Sequence, residues 1–261
     1  MKMLAGTAAA IVLACTLAAQ TPATDPADRA QVDELVLANR ILANEGVLDA
    51  YGHVSVRSAR NPNHFFLAQH IPAETVTAAD IVEYDLDSKP ARDTKMIGFT
   101  ERFIHGEVYK ARPDVKAVVH GHAPEVVAFS VTQIPLRPIS HMAAFLGGPV
   151  PVFETRDATK DGEMLIRNSR LGHALAQKLG NGPAALIRGH GAVVVADSLH
   201  VVVGRAYYMN VNARELLQAL SLPGSKITYI QPNEAVTMAA QDGYERAWTL
   251  WKHQVETSGK R

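Results

Sequence analysis

Val115-Lys116-Ala117-Val118-Val119-His120-Gly121-His122 runs apolar and largely β-branched into two histidines. Such a run reads as a buried strand that ends at His120. In extended backbone, positions i and i+2 face the same side, so both imidazoles can meet one ion. Gly121 between them lets backbone or ligand approach closely. The pair by itself also fits two histidines hydrogen-bonded near a strand end.

Just upstream, a helix is expected to start near Thr100 and to stop before Pro113. Glu101, Ile104, Val108 and Ala111 share one face of it, and His105 sits beside that stripe. A carboxylate on an otherwise apolar face is the kind of local inconsistency found at functional sites. That placement is expected to raise its pKa toward a range useful for proton transfer. Further on, a strand at Ala184–Ile187 leads into the turn Arg188-Gly189-His190-Gly191, and Ala192–Val195 resumes as strand. The flanking glycines let the chain turn sharply and present His190 at the sheet edge. Three neutral imidazoles with an open fourth position suit a catalytic divalent metal: zinc first, or manganese, cobalt or iron. Glu101 is then a displaceable fourth ligand or the acid/base.

The remaining chain alternates helix and strand. Asp25-Pro26 reads as an N-cap with proline at N1, opening a helix that carries Leu35, Ile41 and Leu42 and closes at Gly46. Val54 and Val56 alternate with Ser55 and Arg57, as in a half-buried strand. Strands are expected at 65–67, 81–85 and 150–153, and helices over 163–179, 198–220 and 234–255. No internal repeat and no break in composition mark a second domain. The pattern is one layered α/β domain over residues 24–261.

Composition agrees. With 261 residues, 47% hydrophobic and 20% charged, the chain is no disordered or fibrous protein. Lys plus Arg and Asp plus Glu are 26 each, a balance that argues against nucleic acid as a partner. Eleven histidines against one cysteine point to imidazole and carboxylate ligands rather than thiolate. From Leu4 to Ala19 there is no charged residue; that stretch is short for a membrane span and right for a signal-peptide core. Residues 1–23 are therefore expected to be a signal peptide, and the protein periplasmic or secreted. Val12-Leu13-Ala14-Cys15 loosely resembles a lipobox, which makes lipid anchoring at Cys15 the minor reading.

Thr100-Glu101-Arg102-Phe103-Ile104-His105, Arg112-Pro113-Asp114-Val115, Ala117-Val118-Val119-His120-Gly121-His122 and Arg188-Gly189-His190-Gly191 together resemble the class II aldolase/adducin head family. The resemblance covers about Val32 to Leu220. It includes fuculose- and rhamnulose-phosphate aldolases and ribulose-phosphate epimerases. It implies metal ligation by His120, His122 and His190, and acid/base catalysis by Glu101. It also implies a homotetramer with sites near subunit contacts, and a central, mostly antiparallel sheet between helical layers.

Two departures bear on substrate. Sugar-phosphate members have Gly-Asn at the position of Gly52-His53, and a serine pair where this chain has Phe99-Thr100. Both contribute to the phosphate pocket, so their loss points to a non-phosphorylated substrate. The segments 50–57, 101–106 and 140–147 resemble the branch of hydroxy-carboxymuconic semialdehyde and dihydroxyphthalate decarboxylases. On this basis His53, Ser55, Arg57, His105 and His141 are the candidate substrate-binding residues. For Arg57, as for Arg156, a carboxylate clamp competes with a structural ion pair. The expected activity is a metal-dependent carbon–carbon lyase, a decarboxylase or aldolase, acting on a small hydroxy or keto carboxylate. The metal stabilises the enolate that bond cleavage leaves. A sugar-phosphate aldolase or epimerase, an iron-dependent oxygenase and a non-catalytic adducin-like module are the alternatives.

Overall fold

The computed structural model describes residues 26–239 and 243–258. The expected signal peptide over 1–23 and the cap at Asp25 lie outside the described residues. Helix α1 (Pro26–Asn44) leads into a meander of β1 (His53–Arg57), β2 (His64–Ala68) and β3 (Ile81–Asp85). Helix α2 (Phe103–Ala111), strand β4 (Ala117–Gly121) and helix α3 (Pro124–Ser130) follow. Next come β5 (Val152–Phe153), α4 (Thr155–Ala158), α5 (Ser169–Leu179), β6 (Ala184–Ile187) and β7 (Gly191–Ala196). Helices α6 (Leu199–Ser221), α7 (Pro232–Ala239) and α8 (Glu245–Ser258) close the chain.

The strands form one sheet in the order β3-β2-β1-β4-β7-β6-β5. All its pairings are antiparallel except β5 with β6, as the resemblance implies. Each face is covered by helices, because side chains alternate across a strand. Val54, Val56, Ala117, Val119, Ala192 and Val194 pack against α1, α3 and α6. Val118, Val193 and Val195 pack with Ile104 and Val108 of α2 and Leu171 and Leu175 of α5 on the other face. His53, Ser55 and His120 share the parity of Val118 and face the α2/α5 side. The fold is a three-layer α/β/α sandwich, and that second face carries the chemistry.

Several elements depart from the periodic reading. β1 is buried at all five positions rather than half-buried, because as an inner strand it is covered on both faces. α5 starts at Ser169, not Glu163, since Asn168 caps it by accepting from Leu171 N at 3.0 Å. The C-terminal helix is two helices, α7 and α8; Trp248 and Trp251 of α8 are buried in the core beside α1 and α6. α2 starts at Phe103, so Glu101 lies in the turn before it, with its backbone carbonyl accepting from Ile104 N at 2.9 Å.

Candidate metal centre and active site

Three separate segments converge on the α2/α5 side of the sheet. β4 carries His120 at its end, and His122 follows two residues later on the same side. The β6–β7 turn presents His190; Gly189 there has φ of +62°, a left-handed conformation that favours glycine. Gly191 can be nothing larger, because an added Cβ would sit 2.2 Å from Gly121 O on the neighbouring strand. The turn before α2 brings Glu101. Ligand atoms of Glu101, His120, His122 and His190 all lie within 4.8 Å of one another.

The ring hydrogens are placed by what surrounds them. His120 Nδ1 is 3.0 Å from Ala192 O, His122 Nδ1 is 3.0 Å from Asp49 Oδ1, and His190 Nδ1 is 3.1 Å from Met164 O. Those oxygens only accept, so each Nδ1 carries the hydrogen and each Nε2 lone pair turns inward. His120 Nε2 and His122 Nε2 are 3.0 Å apart. Two lone pairs at that distance repel unless a cation lies between them. Glu101 Oε2 closes the group, 3.5 Å from His120 Nε2 and 3.3 Å from His190 Nε2. Its Oε1 is held by Ile166 N at 2.8 Å. Three inward imidazole nitrogens and one carboxylate are a donor set that fits a divalent metal.

Burial pushes the Glu101 carboxyl up, but the adjacent His120 and His190 side chains outweigh it and hold the group well below the ordinary carboxylate range. This corrects the expected upward shift: partners brought in by the fold win over the apolar stripe. His190 moves up, since Glu101 outweighs the burial that opposes its charged form. His122 moves down through burial and the neighbouring His120.

The substrate-binding candidates divide. His53 pairs across the sheet with His120, and their rings are 5.1 Å apart. Phe99 packs on His53 at 4.4 Å. His105 and Ser55 lie behind His53: His105 Nε2 is 2.7 Å from His53 Nδ1, and Ser55 Oγ is 2.6 Å from His105 Nδ1. Both are fully buried, and burial pushes the His105 imidazole down to about 3. Arg57 is a correction. Its guanidinium donates to the carbonyls of Val115, Pro62, Tyr109 and Arg112, so four of its five N–H donors are spent on backbone, which is a structural role. Arg156 is exposed and pairs with Glu154 at 2.7 Å. His141 is also not brought to the cluster. It is the exposed first residue of a 3-10 turn (His141–Leu146) whose last four residues are buried, and no hydrogen bond or ring contact joins it to the cluster among the described residues. Residue-level reading missed Asp49, which accepts from Tyr51 N, Gly52 N and His122. Its Asx turn is the local signal for the two backbone bonds, but not for the contact with His122.

The class II aldolase and adducin N-terminal domain matches residues 33–217. The chain belongs to the class II aldolase and adducin family. Decarboxylase tropJ of Talaromyces stipitatus is 35% identical over 84% of this chain and 91% of its own. A 3,4-dihydroxyphthalate decarboxylase of Arthrobacter keyseri is 30% identical over 85% of this chain and 92% of its own. Among solved structures, an aldolase II superfamily protein from Pseudomonas syringae superposes with a TM-score of 0.76 at 21% identity, over 91% of this chain and 96% of its own. Decarboxylases and aldolases of this family are divalent-metal-dependent lyases, and this chain is one.

Proposed function

We propose that the protein decarboxylates a small, non-phosphorylated hydroxy carboxylate, of the hydroxylated aromatic type. The observation that carries the reading is the inward-facing Nε2 trio of His120, His122 and His190 closed by Glu101. The choice of decarboxylation over aldol cleavage is supported by relatives whose names record that reaction. The choice against phosphate is supported by Phe99, which is buried against His53 where sugar-phosphate enzymes use small polar groups.

His120, His122 and His190 hold the metal, with zinc the first choice by ligand type and manganese, cobalt or iron the others. When bound, the ion supplies a Lewis acid for the electron pair that carbon–carbon cleavage leaves behind. The three ligands are neutral, so none of the ion's charge is cancelled by them. Glu101 is ionised and anchored through Oε1, which leaves Oε2 to take the proton of a substrate hydroxyl. It returns that proton to the carbon that has lost carbon dioxide. Ala192, Asp49 and Met164 fix the rings from behind. We further propose an exported protein, on the uncharged stretch from Leu4 to Ala19, and a homotetramer, on the family resemblance.

The test is a metal determination on purified protein, followed by assays for carbon dioxide release from 3,4-dihydroxyphthalate, aldehyde release from fuculose 1-phosphate, and oxygen uptake. Metal-dependent carbon dioxide release supports the reading. Release of aldehyde or uptake of oxygen without carbon dioxide would overturn it.

A further inference from the structure

Behind the metal cluster runs a second series of buried polar groups. His53 Nδ1 is 2.7 Å from His105 Nε2, His105 Nδ1 is 2.6 Å from Ser55 Oγ, and Ser55 Oγ is 2.8 Å from Tyr109 OH. All four residues are 2% exposed or less. The series draws on β1 and α2 and ends against His120.

Its polarity follows from counting hydrogens. Tyr109 has one hydroxyl hydrogen and two acceptors in reach, Ser55 Oγ at 2.8 Å and Lys116 O at 3.5 Å. An O–H···O bond forms at about 2.5–3.0 Å, so the hydrogen goes to Ser55. Ser55 accepts there and gives its own hydrogen to His105 Nδ1. His105 therefore carries its ring hydrogen on Nε2 and donates to His53 Nδ1. His53 is left with its hydrogen on Nε2. That nitrogen makes no hydrogen bond among the described residues. The nitrogen is not among the buried side-chain atoms left without a partner, so it opens toward the site beside His120, where an acceptor from outside the chain can reach it.

We infer that Tyr109, Ser55 and His105 are positioning residues that lock His53 in one tautomer, making His53 Nε2–H a fixed donor to an anionic oxygen of the substrate. The opposite tautomer would present a lone pair and repel the same oxygen. Discrimination by a placed donor is stronger than discrimination by shape alone. The inference rests on the lyase reading only for the identity of the acceptor; the tautomer stands apart from it.

The decisive experiment is ring-nitrogen NMR of the zinc-loaded, histidine-labelled full chain, with His53 and His105 assigned through His53→Gln and His105→Gln. Both rings should show a protonated Nε2 and an unprotonated Nδ1. In parallel, His105→Leu removes the donor to His53, whereas His105→Gln keeps an amide hydrogen near the Nε2 position. KM for 3,4-dihydroxyphthalate should rise about 10- to 100-fold in His105→Leu at unchanged metal content, the scale of a hydrogen bond to a charged group. His105→Gln should restore most of it. A hydrogen on His53 Nδ1, or equal losses in both variants, would overturn the inference. Should His105→Leu fail to fold, the wild-type ring spectrum decides. The expected tautomer with no carbon dioxide release would count against the proposed reaction alone.

Discussion

His120 Nε2 and His122 Nε2 face each other at 3.0 Å while each ring commits its Nδ1 to an acceptor outside the cluster. The acceptor of His122 is a side chain, so it can be removed without touching a ligand. Asp49→Ala is expected to weaken metal binding by about 10- to 100-fold, the usual cost of losing such a support. His120→Ala or His190→Ala should abolish binding, since an incomplete set remains. Calorimetric titration of the metal-free variants checks both. Full occupancy in His190→Ala would remove that residue from the site.

Glu101→Gln keeps the shape and one oxygen but cannot exchange a proton at neutral pH. Turnover should fall by about 10²–10⁴-fold at unchanged metal content, the range for general acid–base catalysis. A steady-state assay beside a metal determination on the same preparation reads both quantities. Near-normal turnover would send the proton elsewhere, with His53 next in line. A collapse of metal content would make Glu101 a ligand first.

Arg57 spends its guanidinium on four backbone carbonyls. Arg57→Ala strands those acceptors beside the core. Urea unfolding should show a loss of about 2–4 kcal/mol. KM per folded molecule should stay within about two-fold of wild type. A large rise in KM at full stability would restore Arg57 to the substrate pocket.

His105 predicts an acid limit. Burial holds the imidazole at about 3 in the folded chain against an ordinary 6.5. A depressed folded value means the unfolded chain binds the proton first. Stability is therefore complete above pH 6.5 and drains as pH falls toward 3. The slope is about 1.4 kcal/mol per pH unit for this one group. His105→Gln should lose that share of the slope when urea stability is measured across the same window. An unchanged slope would mean the ring titrates normally in the fold.

The layered fold and the His120/His122 pair are legible in the sequence because each rests on short spacing, whereas joining His190 and Glu101 to that pair takes the family resemblance. His120 and His122 are two apart on a strand that ends there, and His190 sits between two glycines, one of which has backbone within 2.2 Å of its missing Cβ. Asp49 is 73 residues from the His122 it supports, and nothing local announces that contact. The Glu101 pKa is misread for the same reason, since its neighbours along the chain are apolar and its neighbours in space are imidazoles. Arg57 looks like half of an exposed alternation only until helices close over both faces of β1. Nothing local points to His141; its candidacy comes from the family resemblance alone, and the structure does not bring it to the cluster.

The most direct measurement is reconstitution. Metal should be stripped from the purified protein by chelation and returned in sub-stoichiometric steps, with carbon dioxide release from 3,4-dihydroxyphthalate followed at each step. Glu101, His120, His122 and His190 form one cluster per chain among the described residues. Activity should rise from zero in proportion to added metal and level off at about one ion per chain. Activity that survives complete removal of metal, or that never returns at full occupancy, would contradict a lyase built on this centre.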